Sequence, residues 1–179
     1  MFFYAITDPS TLDFNFLDEA LKRFAKKASM IVYRDKTNKA YALNAKKFIE
    51  AAKQLGFEKV LLHGDADLAK SYGAHGVHLR SDQFDQIKDA KAANLFTVVS
   101  THTFQEAKQA EMLGADMVTF SPIFDTPHKG EPVGLAMLER LASSLSIPVI
   151  ALGGIITQAQ IDACIKAGAD GVASIRYFA

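Results

Sequence analysis

Short apolar runs alternate with segments of helical periodicity along the whole chain. The first run, Phe2–Ile6, ends at a Thr-Asp-Pro-Ser turn, and apolar residues then recur three and four positions apart over 17–24. The same order repeats, which predicts eight strands alternating with helices. The other strands are predicted at 29–33, 59–62, 77–79, 95–100, 117–120, 147–152 and 171–175, and the other helices at 42–55, 67–72, 82–92, 103–114, 135–145 and 157–167.

Three segments that begin with glycine look like copies of one structural unit. They lie at 73–77, 114–118 and 168–172, and each places glycine at a helix end before an apolar strand. Glycine is favoured there because the residue after a helix often adopts a left-handed backbone conformation. Eight strands that alternate with helices and run in one direction favour a (β/α)8 barrel, the TIM-barrel fold of the α/β class. An open flavodoxin-like sheet would need fewer strands. The length of the chain suits one hydrophobic core, so we expect a single domain over residues 1–179.

The predicted barrel is short at its last unit. The chain has 179 residues, whereas such barrels usually have roughly 200 or more. Few residues follow the eighth strand, so we expect the last helix to be missing or vestigial. Either a homo-oligomer contact or the N-terminal segment around Phe14 and Phe16 is expected to cover the flank of that strand.

Charge and composition exclude several classes of protein. The chain has 20 basic residues (lysine and arginine) and 20 acidic residues (aspartate and glutamate), and the basic residues form no stripe. Neither nucleic acid nor a membrane surface is therefore an expected partner. No apolar run reaches transmembrane length and residues 1–6 are too short for a signal sequence, so we expect a cytoplasmic location. Cys164, the single cysteine, is expected to be a small core residue of a helix.

A polar loop follows the sixth strand and contains Thr126, His128 and Lys129. In a barrel the carboxyl ends of all strands share one face, and ligands bind there. We therefore expect these three side chains to contact a ligand. His128 is the candidate acid or base because imidazole titrates near neutral pH. The alternative is a surface loop that is polar only because it is solvated.

Two glycines, Gly153 and Gly154, end the seventh strand, and Ser174 and Ile175 end the eighth. Glycines at a strand end let an anion approach backbone N–H groups, and the loops after strands seven and eight commonly bind phosphate in such barrels. The sequence therefore predicts a phosphate site at these four residues. A tight turn with no ligand is the alternative interpretation of the two glycines.

Arg34 and Lys36 lie two positions apart at the end of the second strand, so both could face the mouth. A guanidinium and an ammonium group together suit a second anion, such as a diphosphate. The alternative is a solvated charged turn, since Asp35 lies between them.

The remaining polar residues near the strand ends include three histidines. His63 ends the third strand and can face the mouth, whereas His78 lies between apolar residues and is expected to be a half-buried residue with its hydrogen bonds satisfied. His102 is expected to have a capping or solvent role. Only Asp8 and Asp65 lie near strand ends, so no metal site is evident, because Mg²⁺ on a diphosphate usually needs carboxylate ligands.

Several motifs together resemble the superfamily of thiamine phosphate synthase and TenI-type thiazole tautomerase. The resemblance spans nearly the whole chain and is densest from residue 99 onward. The motifs are Tyr-Ala-Ile-Thr-Asp at 4–8, Gly-Val-His-Leu at 76–79, Val-Ser-Thr-His-Thr at 99–103, Ser-Pro-Ile-Phe-Asp-Thr-Pro-His-Lys at 121–129, Pro-Val-Ile-Ala-Leu-Gly-Gly-Ile at 148–155 and Gly-Ala-Asp-Gly-Val at 168–172.

The resemblance implies a (β/α)8 barrel that joins hydroxymethylpyrimidine diphosphate to thiazole phosphate with loss of pyrophosphate. It implies thiazole phosphate binding at Gly153 and Gly154 and at Ser174 and Ile175. Small phosphate esters, thiazole phosphate or thiamine phosphate, are thus the implied partners. Further family positions are the serine after strand five and the Pro-Thr-x-Thr-Lys loop, which fall on Ser100 and on residues 125–129 with Thr126 and Lys129 retained.

The departures from the family pattern lie on the pyrimidine diphosphate side. The Gln-Leu-Arg-x-Lys motif keeps Arg34 and Lys36, but Val32 replaces its glutamine. The Asn-Asp pair after strand three is His63-Gly64, and the Gly-Gln-x-Asp motif after strand four is Arg-Ser-Asp-Gln at 80–83. Mg²⁺ is a possible cofactor of the family, yet its expected carboxylate ligands are absent here unless Asp65 or Asp82 substitutes for them by a shift in register.

Three functions follow from the resemblance. The first is coupling by a synthase, with Lys129, His128, Arg34 and Lys36 as catalytic residues and Ser100, Thr126 and His63 as substrate contacts. The second is a thiazole tautomerase, although Pro122 stands where that enzyme has its histidine base. The third is a protein that binds thiazole phosphate or thiamine phosphate without catalysis.

Overall fold

The computed structural model describes residues 1–179 and contains eight strands closed into a barrel. The strands are β1 (Phe2–Ile6), β2 (Met30–Tyr33), β3 (Lys59–His63), β4 (Gly76–Leu79), β5 (Phe96–Thr101), β6 (Met117–Phe120), β7 (Val149–Leu152) and β8 (Gly171–Ser174). The helices are α1 (Leu17–Ala25), α2 (Tyr41–Ala52), α3 (Ala66–Ser71), α4 (Ile87–Ala92), α5 (Phe104–Met112), α6 (Gly134–Ala142) and α7 (Gln158–Lys166). Each strand pairs in parallel with the next, and β8 pairs with β1, where Gly171 lies opposite Phe2. The prediction of a (β/α)8 barrel is confirmed.

The core has two layers because alternate residues of each strand face opposite sides. In β2, Met30 and Val32 belong to the cluster inside the barrel, whereas Ile31 and Tyr33 pack in the larger outer cluster beneath the helices. Burial on both faces explains why the strands are apolar runs rather than alternating patterns. Cys164 is buried in the outer layer. None of the helices is both long enough and apolar enough to cross a membrane.

The flank of β8 is covered by the residues that follow it. Residues 175–179 form a turn rather than a helix, and Phe178 is fully buried with its ring edge-on to Phe3 at 6.3 Å. The expectation that Phe14 and Phe16 cover this flank is wrong. Phe14 packs against the ring of Tyr33 in β2 at 5.5 Å, and Phe16 is 61% exposed.

The segment after β4 differs from the predicted helix over 82–92. The α-helix begins only at Ile87 and follows a short 3₁₀ turn, Phe84–Gln86. Gln83 is the reason, since its buried side chain turns inward and accepts from the Arg80 N–H at 2.9 Å while it donates to the Gly64 carbonyl at 2.9 Å. These bonds tie the loop after β4 to the loop after β3 at the mouth of the barrel.

Candidate functional site

A cavity of about 400 Å³ opens at the carboxyl ends of the strands. Every strand, or the loop directly after it, contributes to its lining. The cavity is therefore the place where residues distant in sequence meet, as the barrel topology requires. The contributors, in strand order, include Ile6, Arg34, His63, His78, Ser100, Ser121, Leu152 and Ser174.

The cavity brings together all but one of the site residues proposed from the sequence. His128 is the exception, because it lies on the exposed side of the loop after β6, with a φ of 63°, and is absent from the lining. Its neighbours Thr126 and Lys129 do line the cavity. The other residues in the lining are Arg34, Lys36, His63, Ser100, Gly153, Gly154, Ser174 and Ile175.

One side of the cavity is made of backbone at the ends of β7 and β8. The N–H groups of Gly153, Gly154, Ile175 and Arg176 have no hydrogen-bond acceptor within the protein. The Ser174 hydroxyl is not free, since it donates to the Ile155 carbonyl at 2.8 Å and accepts from a backbone N–H at 3.2 Å. Its role is to hold the two loops together. We call the backbone N–H groups of Gly153, Gly154, Ile175 and Arg176 the amide cradle. Such a set of donors suits a phosphate.

The two glycines of the cradle are required by close packing as well as by conformation. Both have positive φ, 99° at Gly153 and 70° at Gly154. A Cβ at Gly153 would lie 2.7 Å from the Pro122 Cα, and one at Gly154 would lie 2.6 Å from the Asp125 carbonyl oxygen. The loop after β6 therefore packs directly on the glycines, so any side chain there would displace it.

A second part of the cavity lining is cationic. Five basic side chains and one acidic side chain line the whole cavity, so it favours anions although the protein as a whole is neutral. Partial burial, together with the positive charges of Arg34, Lys129 and Arg80, lowers the pKa of Lys36. The charged residues of the lining are Arg34, Lys36, Arg80, Lys129, Arg176 and Asp82.

Neutral polar groups lie at the floor between these two sides. His78 is 2% exposed, and its Nδ1 and Nε2 lie 2.9 Å from the Tyr4 hydroxyl and the Ser100 hydroxyl, respectively. Burial, followed by the charge of Arg34, lowers the pKa of His78 to about 3. Burial, then His78 and the nearby cations, lowers the pKa of His63 to about 2. Both imidazoles are therefore neutral near pH 7.

The hydrogen bonds of His78 fix its tautomer. The Tyr4 hydroxyl is fully buried and has no other partner, so it donates to Nδ1. The proton of the neutral ring is then on Nε2, which donates to the Ser100 oxygen. This arrangement leaves the hydrogen of the Ser100 hydroxyl available to a ligand in the cavity.

The residues around the cavity do not fit a magnesium ion. No group of three or more histidine, cysteine, aspartate or glutamate side chains is placed to share a metal. The Asp65 carboxylate accepts from the Leu68 N–H at 2.8 Å as the cap of α3, and the Asp82 carboxylate is paired with Arg80 at 2.9 Å. Gly64 and Gln83 supply no charge.

Several lining residues were not predicted from the sequence. Arg80 is the most important, because it adds a cation one residue after β4, and it could have been found from its position two residues after His78 on the same strand end. Leu152 and Ile155 give the cavity an apolar wall. The remaining unpredicted lining residues are Ile6, Ser81, Asp82, Ser121 and Pro122.

Comparisons with known proteins agree with this fold. The family model described as thiamine monophosphate synthase matches residues 3–178. A putative thiamine-phosphate synthase 2 of Aquifex aeolicus is 36% identical over 98% of this chain and 96% of its own. A thiamine-phosphate synthase of Bacillus velezensis is 33% identical over 83% of this chain and 70% of its own. The solved structure of a thiamine phosphate pyrophosphorylase from Pyrococcus furiosus matches with a TM-score of 0.83 at 28% identity, over 97% of this chain and 84% of its own.

Proposed function

The chain belongs to the thiamine monophosphate synthase family, and we propose that it couples thiazole phosphate to hydroxymethylpyrimidine diphosphate. The products would be thiamine phosphate and pyrophosphate. The amide cradle would bind the phosphate of the thiazole substrate, and the cationic side would bind the diphosphate of the pyrimidine substrate. Lys129, Arg34 and Lys36 are the proposed catalytic residues.

One observation carries the proposal. A single cavity has two anion-binding sides of different chemistry, one made of Gly153, Gly154, Ile175 and Arg176 amides and one of basic side chains. An enzyme that only isomerises or binds one phosphate ester needs one such side. Two phosphorylated substrates that react with each other need both, with their reactive atoms held in contact between them.

The proposed step balances with the groups present. The bond between the pyrimidine methylene carbon and the diphosphate oxygen breaks, and pyrophosphate leaves with the electron pair. The thiazole nitrogen forms the new bond to that carbon and becomes positively charged. Negative charge grows on the leaving group next to Arg34, Lys36 and Lys129, and fixed cations at this place stabilise the transition state.

The neutral floor would orient the pyrimidine ring between the two anions. Ser100 offers a hydroxyl hydrogen, and the His63 ring lies 5.7 Å from the His78 ring. Val32 is fully buried inside the barrel and does not line the cavity, so it offers no contact to the pyrimidine. We therefore expect hydrogen bonds to the pyrimidine from Ser100 and His63.

The cavity offers no support for the tautomerase alternative. Pro122 lines the cavity two residues after the end of β6 and cannot move a proton, and His128 is exposed and does not line the cavity. The binding protein without catalysis is retained as an outcome of the experiment below.

The test is direct measurement of thiamine phosphate formed from both substrates. We expect product with the wild-type protein and a loss of about 100-fold or more in kcat/KM for Lys129→Ala, because one cation at a developing charge typically contributes a factor of this size. Lys166→Ala, on the exposed end of α7, is the matched control and should retain wild-type activity.

A wild-type protein that forms no product under any condition would overturn the coupling function. If thiazole phosphate still raised the melting temperature of that protein, the chain would be a binder of the ester. Equal activity of Lys129→Ala and wild type would remove Lys129 from the catalytic residues.

A further inference from the structure

Arg80 occupies the corner of the cavity where the loops after β3 and β4 meet. Its side chain is 45% exposed, and its Nε donates to the Asp82 carboxylate at 2.9 Å. Its backbone N–H is held by Gln83, which also holds the Gly64 carbonyl. The backbone of Arg80 is thus linked through Gln83 to both loops, and the Asp82 carboxylate orients the guanidinium.

Because Gly64 has no side chain, the guanidinium of Arg80 can lie close to its backbone. A Cβ at residue 64 would lie 3.1 Å from Arg80 Nη1, so a carboxylate side chain at this position would meet the guanidinium directly. Gln83, the other side chain at this corner, is a neutral amide with its oxygen and nitrogen bonded to backbone groups. The corner therefore presents the Arg80 cation, and the carboxylates of Asp35, Asp65 and Asp82 around it each already accept a hydrogen bond within the protein.

The cation at this corner belongs to a convergent set. Arg34, Lys36 and Lys129 line the same cavity, and the charges of Arg34, Lys129 and Arg80 all act on Lys36. A guanidinium keeps its charge at every physiological pH and donates several hydrogen bonds in a fixed plane, which suits two neighbouring phosphate oxygens. A hydrated magnesium ion instead needs carboxylate oxygens, whereas Asp35 and Asp65 at this corner accept backbone N–H groups of their own loops and do not form a metal-binding cluster.

We propose that Arg80 takes the place of a divalent metal ion at the diphosphate side, so that the protein binds pyrophosphate without magnesium. This inference deepens the proposed function and rests on it for the identity of the site. It assigns to Arg80 the role of binding the leaving group. The proposed partner is the pyrophosphate group itself, recognised by Arg80, Arg34 and Lys36.

Isothermal titration calorimetry with inorganic pyrophosphate tests the inference. Wild-type protein should bind pyrophosphate with the same Kd, within about threefold, in excess chelator and in excess magnesium chloride. Arg80→Met should weaken binding about tenfold or more in chelator, the size expected for loss of a charged hydrogen-bonding partner. Arg23→Met, on the exposed face of α1, is the matched control and should bind as wild type. Melting temperatures of both variants show that they are folded.

Two results would overturn the inference. One is wild-type binding that appears only with magnesium, and the other is a folded Arg80→Met variant that binds pyrophosphate as tightly as wild type. These results are separate from the fate of the proposed function. A protein that makes no thiamine phosphate but binds pyrophosphate through Arg80 in chelator would refute coupling and uphold the inference. A protein that makes thiamine phosphate, but needs magnesium both for this activity and for pyrophosphate binding, would uphold coupling and refute the inference.

Discussion

The buried His78 is the residue whose environment departs most from what its type suggests. It is enclosed between Tyr4 and Ser100, and burial keeps its ring neutral. A neutral ring can donate to Ser100 through Nε2 and accept from Tyr4 through Nδ1 at the same time. A protonated ring would donate at both nitrogens and would break this pattern. The network therefore depends on neutrality.

This burial predicts a loss of stability in mild acid. The pKa of His78 is about 3 in the folded protein and about 6.5 in an unfolded chain, so the unfolded state binds an extra proton between these values. The free energy of unfolding should therefore fall as pH falls below about 6.5. In His78→Gln the slope between about pH 5 and 6 should be smaller by about 1 kcal/mol per pH unit.

Urea denaturation of the ligand-free protein at several pH values measures this slope. His128→Gln is the control for the substitution itself, since that histidine is on the surface. An unchanged slope in His78→Gln would show that His78 does not stay neutral in the folded protein.

Residue types revealed much of the site, but side-chain direction did not follow from them. The glycines after β7 and the cations after β2 were found because strand ends in a barrel share one face. His128 has a polar sequence context like that of Lys129, yet it is exposed, with a backbone φ of 63°, and does not line the cavity. Arg80 was overlooked as a contact because its role depends on the empty space at Gly64, which lies 16 positions earlier in the chain.

At the scale of elements, the strands were predicted best. Both faces of each strand are buried, so apolar runs mark them clearly. Helix boundaries were less certain, as the late start of α4 shows, because Gln83 uses its side chain on backbone groups of other loops. No complete helix was expected after β8. Phe178 in the turn that follows β8 packs against Phe3, and no local sequence pattern predicts this contact because the two residues are far apart in the chain.

Phe178 is expected to stabilise the barrel in place of a last helix. It is fully buried, so Phe178→Ala should lower the free energy of unfolding by about 3 to 5 kcal/mol. Phe16→Ala is the matched control because that ring is 61% exposed, and its effect should be within about 0.5 kcal/mol. Chemical denaturation monitored by circular dichroism measures both. Equal stabilities of the two variants would mean that Phe178 does not seal the flank of β8.

At the scale of the whole molecule, the barrel gathers two kinds of anion-attracting group in one cavity. The amide cradle is made of main chain at β7 and β8, whereas four of the five cations come from the loops after β2, β4 and β6 and the fifth, Arg176, follows β8. In the proposed reaction the main-chain donors would hold a phosphate, and the basic side chains would lie beside the leaving group as its charge grows. The balanced total charge of the chain hides this local concentration of positive charge.

The most direct test of this account is whether both sides can be occupied at once. Thiazole phosphate is titrated into the protein by calorimetry, first alone and then with saturating pyrophosphate, with magnesium present in both cases. The account predicts one-to-one binding of thiazole phosphate in both titrations, with Kd values that agree within about tenfold, or about 1.4 kcal/mol. Competition, in which the Kd for thiazole phosphate rises in proportion to the pyrophosphate concentration, would show a single anion site and would contradict the account.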